Sequence, residues 1–253
     1  MNIKKYGSAL FLSIFSAYKS TFLSSPSNVT TDAFFVPLTC ALIFSYKVRR
    51  PEKRNFLGGT VGSLLYLVSV WKMATGSNKL NKEICLLVNC LGIFIAYIFK
   101  YLISKEISAN VYSFCFYLLS LILCSIFILK DLDFSGYRIF ETISDNLHGI
   151  MSYVIYTIIT NIITNEIGII DYIFYSSFIT ILFWALISLF LPFGNLYKDN
   201  ILDIILYYAV SLVVYLSTIA YTQMYGIISI NYLHIINLMI FLLIKLTTNE
   251  IKT

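Results

Sequence analysis

The sequence predicts an all-α membrane protein. Its apolar composition, the continuity of its apolar runs and the scarcity of charge inside them carry that reading. Hydrophobic residues fill 58% of the 253 positions, charged residues 12%, and mean hydropathy is +0.81. A soluble domain holds about 25% charge and about 45–50% apolar residues, enough polar surface to solvate its outer helices. This chain lacks that surface. In lipid the backbone must satisfy its own hydrogen bonds, which leaves helices or closed barrels. Barrel strands alternate apolar and polar residues, whereas 114–129 and 175–191 are continuous, largely apolar runs without charge or alternation. Helices are therefore expected.

A crossing helix needs about 20 apolar residues, and on that measure nine spans follow one another, within a range of eight to ten. The first, 7–24, opens after Lys4 and Lys5 and carries Ser13, Ser16, Ser20 and Ser24 at helical spacing. No small-residue cleavage site follows it, so it reads as a retained helix and not a signal peptide. The second, 31–47, is the weakest, with Pro37 inside its core. The loop after it, 47–54, packs five positive charges into eight residues. Short basic loops stay cytoplasmic, which places the N-terminus there too.

The third span, 57–75, ends near Trp71 and Lys72. The fourth, 82–103, contains Asn89, and the fifth, 109–129, is uncharged. A loop of mixed charge, 130–145, leads to the sixth span, 147–165. The seventh, 170–193, is the strongest; the eighth and ninth are 201–221 and 226–246. Nine spans put the C-terminus outside. Asn28-Val-Thr30 is a formal glycosylation sequon on the outer side. Cys40, Cys85, Cys90, Cys115 and Cys124 all fall in apolar stretches without a CxxC pair, as small hydrophobes do. No metal site, disulfide framework or cofactor is expected.

The fourth span runs into Phe99-Lys-Tyr-Leu-Ile-Ser-Lys-Glu-Ile-Ser108 and the ninth into Phe241-Leu-Leu-Ile-Lys-Leu-Thr-Thr-Asn-Glu-Ile-Lys252. The two Glu-Ile turns, at Glu106 and Glu250, lie 144 residues apart, which suggests tandem units. The sixth span ends in a similar turn, Ile163-Thr-Asn-Glu-Ile-Gly168. Tyr18-Lys-Ser-Thr-Phe22 in the first helix, Ile103-Ser-Lys-Glu-Ile-Ser108 after the fourth and the Tyr221–Gly226 connection add weak motifs. In this organisation the chain resembles the drug/metabolite transporter superfamily, the EamA-type carriers with ten helices in two five-helix repeats. It departs from them in having 11 glycines, no Arg near Pro37-Leu-Thr-Cys40 and no tenth helix. The resemblance implies a first repeat over 1–130 and a second, four-helix repeat over 131–253. It also implies a solute cavity between them, lined by spans one, three, four, six, eight and nine.

Carriers hold polar groups near the midplane, where the substrate exchanges water for protein contacts. Such groups are costly in lipid and face a cavity or another helix. Lys19 either lies deep against a cavity or snorkels to the interface from a span that ends early, and Lys72 poses the same question beside Trp71. Tyr153, Thr157, Thr160, Asn161 and Thr164 share a face of span six, with His148 near its start. Thr and Asn at such spacing also serve interhelical hydrogen bonding. Asn231, His234 and Asn237 share a broad face of span nine, and Asn89 stands alone in span four. The expected solute-binding set is Lys19, Trp71, Lys72, Asn89, His148, Tyr153, Asn161, Asn231 and His234.

Asp32, Glu83, Asp171 and Asp203 fall at span ends, so coupling through a buried acid is not expected. Zinc motifs, a Gly-rich phosphate loop and a G-x-S-x-G elbow are missing from the sequence, and an enzyme is not expected. The reading is a carrier for a small metabolite, anionic or zwitterionic like an amino acid or nucleotide-like solute, in a bacterial cytoplasmic membrane. The alternative is a non-transporting multi-pass protein, either an assembly subunit or a degenerate transporter. Expected partners are a small-molecule solute and membrane lipid, with a homodimer left open and no nucleic acid.

Overall fold

A computed structural model describes residues 3–21, 29–47, 53–79, 82–104, 111–130, 138–189 and 201–250. Ser24, Asn28, the centre of the basic loop and Glu106 lie outside the described residues. Among the described residues the secondary structure is helical, with no strand. The elements are α1 (Ile3–Thr21), α2 (Val36–Phe44), α3 (Lys53–Lys79), α4 (Lys82–Asn89), α5 (Gly92–Ser104), α6 (Val111–Lys130), α7 (Arg138–Ile167), α8 (Ile169–Ser188) and α9 (Ile201–Glu250). A π-helical turn, Thr31–Phe35, precedes α2, and a 3-10 turn, Ser45–Lys47, follows it.

Six helical stretches among the described residues are long and apolar enough to cross a membrane: Phe56–Thr75, Lys82–Ile103, Val111–Ile128, Ile143–Ile167, Ile169–Ser188 and Ile201–Thr247. Large apolar side chains face outward on them, including Phe116, Leu123 and Ile126 of α6 and Leu182 and Leu186 of α8. The protein is an integral, multi-pass, all-α membrane protein. The fold reaches six by composition where the sequence reading has nine spans, for two reasons. The expected eighth and ninth spans are one helical element, α9, broken at Gly226. The expected second span holds only nine α-helical residues, and α1 also falls outside the six.

Two glycines turn the chain back on itself. Gly168 (φ 89°) separates α7 from α8, and Gly226 (φ 78°, ψ 174°) divides α9 into arms 201–225 and 227–250. Only glycine adopts such backbone without a Cβ penalty. Tyr153 of α7 bonds Thr218 in the first arm and packs edge-on against His234 in the second, with centroids 5.6 Å apart. The arms therefore form a hairpin. Gln223 Nε2 donates to the Thr164 carbonyl at 3.4 Å, so the turns at Gly168 and Gly226 share one end of the bundle. Lys5 and Lys100 line a groove with Tyr225 at that same end, called the basic end below.

The α4–α5 boundary is a break inside one apolar stretch. At Cys90 and Leu91 the ladder shifts to a tighter bond, Leu91 N–H to the Val88 carbonyl at 2.9 Å. The Tyr117 hydroxyl of α6 donates to the Cys90 carbonyl. Irregular backbone at membrane depth is tolerated where protein buries it and supplies such partners. Tyr117→Phe removes that donor. The expected result is a loss of about 1–3 kcal/mol, read as a lowered melting temperature in detergent, with a smaller effect from Tyr112→Phe at an exposed position.

Two buried clusters hold the bundle. One joins α4, α5, α6 and the second arm of α9 around Cys90, Ile93, Tyr117 and Leu238. The other joins α2, α3, α7, α8 and the first arm around Val36, Tyr66, Tyr156, Tyr172 and Ile219. Between lipid-solvated helices it is close packing and hydrogen bonding that drive association. Accordingly, the α3–α7 contact runs over glycines: a Cβ on Gly149 would meet Met73 N at 3.2 Å, and one on Gly58 would meet Ile163 Cδ1 at 2.2 Å.

Candidate functional site

A cavity of about 160 Å³ lies within the bundle, on the side of its centre away from the basic end. Such a space holds several water molecules or a compact solute. It is walled by α1, the π turn, α3, α4, α7 and both arms of α9. Lys19 sits in the last turn of α1 and Asp32 in the π turn. The wide turn has a local cause. Pro37 carries no N–H for the Ala33 carbonyl, and just upstream Val36 N–H bonds the Thr31 carbonyl five residues back. Single π turns of this kind recur at functional sites.

Lys19 Nζ lies 2.8 Å from Asp32 Oδ2, with the two side chains 17% and 5% exposed. The Tyr207 hydroxyl donates to the same oxygen at 2.8 Å, and the Tyr66 hydroxyl to the Asp32 main-chain carbonyl at 3.3 Å. The Tyr207 ring lies 5.6 Å from Lys19 Nζ. Aromatic rings continue the wall: Tyr66 packs against Tyr156 and Tyr215 with centroids 5.4 Å apart in both cases. Asn89 at the end of α4, together with His234 and Asn237 of the second α9 arm, completes it. Asp32 Oδ1, Asn89 Oδ1, Asn237 Oδ1 and His234 Nε2 are buried without a hydrogen-bond partner.

Of the residues expected to bind solute, Lys19, Asn89, Tyr153 and His234 line this cavity. The others go elsewhere. Trp71 is exposed on the outer face of α3. Lys72 pairs with Asp145 at 2.7 Å and is 42% exposed, as a snorkelling lysine would be. His148 is exposed, and Asn161 is half-buried on α7 outside the cavity. Asn231 is fully buried but packs under α5: its Nδ2 donates to the Ile227 carbonyl at 2.9 Å, and its Oδ1 faces Gly92. The threonine stripe of span six is mostly packing, because Thr157 and Thr164 bond carbonyls of their own helix and Thr160 bonds the Tyr172 hydroxyl at 2.7 Å.

Asp32 was placed at a span end, where a buried acid was not expected; the position holds, but the residue is 3% exposed in the cavity wall, which corrects the expectation. Its position near a span end concealed it, since the π turn carries it inward beside Lys19. Tyr66, Tyr156, Tyr207 and Tyr215 were also missed, because 20 tyrosines spread along the chain do not reveal which ones converge. No family model matches the chain, and no curated protein matches it.

Proposed function

We propose that the protein is a membrane carrier that moves a small polar metabolite by alternating access through this cavity. Counting α1 and the α2 segment as membrane crossings, with α9 as two, gives nine passes, five before residues 131–137 and four after them, in the order of the first nine helices of a drug/metabolite transporter. The carrying observation is the set of buried polar atoms without partners on five residues that line one cavity, Asp32, Asn89, Tyr156, His234 and Asn237. Each such atom costs about 1–3 kcal/mol when left unpaired. A protein keeps several of them together where a solute or water completes them, and intramembrane polar groups mark solute pathways.

The charge in the cavity favours a solute without net charge. Lys19 is already balanced by Asp32, and Lys72 lies outside, so the case for a purely anionic substrate loses both of its lysines. A zwitterion can exchange partners with the pair, its ammonium at Asp32 and its carboxylate at Lys19, with no unbalanced charge in a low-dielectric site. The tyrosine rings and the amides of Asn89 and Asn237 then meet its side chain.

The test is counterflow of labelled solutes in proteoliposomes. Asn89→Ala and His234→Ala are each expected to reduce flux about tenfold, from the loss of one hydrogen bond of about 1.4 kcal/mol. Trp71→Ala and His148→Ala are expected to leave it unchanged. Equal effects from the cavity and surface substitutions would remove the cavity from the pathway.

A further inference from the structure

A groove of about 720 Å³ lies at the basic end, between α1, α5, α6 and α9. The second arm of α9 separates it from the polar cavity. His234 and Asn237 line the cavity, whereas Tyr232, Leu233 and Ile236 line the groove on the opposite helical face. Two lysines stand near the helix ends that form its mouth, Lys5 on α1 and Lys100 on α5. Lys5 Nζ lies 5.6 Å from the Tyr225 ring centroid. Deeper along the same helices no charge lines the groove: Ala9, Phe116, Ile228, Leu233 and Ile236 stand beside Ser229 and three tyrosines, Tyr97 and Tyr232, whose hydroxyls pair at 3.0 Å, and Tyr117, whose hydroxyl is taken by the Cys90 carbonyl. From Ile228 to Ile236 the α9 wall covers about 12 Å at 1.5 Å per residue.

The groove also opens sideways. Tyr6, Tyr112 and Phe116 line it and are 59%, 88% and 64% exposed, on a face that lipid covers in an integral membrane protein. Tyrosines at that level match the amphipathic belt of a membrane interface.

We propose that this groove binds one anionic phospholipid, its phosphate held by Lys5 and Lys100 and an acyl chain laid along Phe116, Leu233 and Ile236. Basic pockets between membrane helices take anionic headgroups. The polarity gradient selects a lipid over a free phosphate, which would use the mouth and leave the apolar lining open. The site does not rest on the carrier reading, since it lies across a helix from the polar cavity.

The test uses the purified full chain in neutral detergent, titrated with phosphatidylglycerol, with phosphatidylcholine of the same acyl chains, and with soluble glycerol phosphate. Phosphatidylglycerol is expected to raise the melting temperature saturably, and the other two to leave it unchanged. The Lys5→Gln/Lys100→Gln pair should weaken that effect about thirtyfold, from two lysine–headgroup interactions, while Lys5→Arg/Lys100→Arg keeps it. Any short basic loop, such as that after α2, can draw anionic lipid, so the site is located separately with Phe116→Trp. Its added fluorescence should be quenched by brominated phosphatidylglycerol at concentrations where brominated phosphatidylcholine has no effect. If the glutamine pair does not fold, the lipid contrast and the quenching decide the matter in protein with both lysines intact. Equal binding of the two lipids, an unaltered effect in a folded glutamine pair, or absence of selective quenching overturns the proposal. Saturable binding of glycerol phosphate without lipid selectivity replaces the lipid with a free phosphate.

Discussion

Asp32→Ala is expected to destabilise the protein by about 3–5 kcal/mol, the cost of stranding a buried charge by removing its partner. The substitution leaves the Lys19 ammonium, 17% exposed, without the carboxylate 2.8 Å away. It also takes the acceptor from the Tyr207 hydroxyl. For a chain of this size the loss corresponds to a melting temperature lower by on the order of 10 °C. Lys19→Met/Asp32→Ala removes both charges and should recover most of that stability, as apolar replacement of whole buried pairs commonly does. The control is Asp145→Asn at the Lys72 pair, where Lys72 is 42% exposed and the expected change is about 0–1 kcal/mol. A double variant as unstable as Asp32→Ala alone would show that the pairing with Lys19 is not what the carboxylate supplies. On the carrier reading, Asp32→Asn keeps an acceptor for Tyr207 yet removes the charge, and flux should fall by more than tenfold while the fold survives.

Gly226→Ala is the second large effect, expected at about 1–3 kcal/mol. With φ 78° and ψ 174°, the residue sits in backbone space that side chains avoid. A Cβ there would meet nothing within 4 Å, so the cost is conformational and free of packing loss. Relief of that strain would extend α9 as one rod. Its 50 residues would then reach about 75 Å, far beyond a hydrocarbon core of about 30 Å. Tyr153 of α7 could then no longer meet both Thr218 of the first arm and His234 of the second. Gly168→Ala, at φ 89° and likewise in open space, should behave similarly. Gly7→Ala provides the contrast. It also meets nothing, but its helical backbone suits alanine, so a gain of up to about 1 kcal/mol is expected. Melting temperatures of the three variants check the set, and a neutral Gly226→Ala would mean that the turn does not require its positive φ.

Much of the helical framework was legible along the chain. Apolar runs located the helices, and the ends of spans six and eight were read within a few residues of Gly168 and Gly226. The break at Cys90–Leu91 was not, because no glycine or proline stands at those two positions and the carbonyl it frees is completed by a tyrosine of another helix. The candidate site was legible in part. Lys19 and His234 stood out because a charged or imidazole side chain is rare in an apolar run. Asn231 and His234 looked equivalent at three-residue spacing, yet one packs beneath Gly92 and the other lines the cavity. Periodicity names the face of a helix and is silent about the neighbour that covers it. Trp71 was set in the cavity for that reason, whereas Lys72, left open between cavity and interface, lies on the interface side.

By itself the sequence determined the solvent and the secondary structure: with 12% charge and continuous apolar runs, the chain can satisfy its backbone in lipid as helices, and local hydrogen bonding suffices to say so. Only the tertiary structure decided which polar groups meet. Asp32 and Tyr207 are 175 residues apart in the chain and share a hydrogen bond, and a π turn brings Asp32 to Lys19. Those encounters depend on how helices pack across long sequence separations, a property of the assembled bundle that no local pattern encodes.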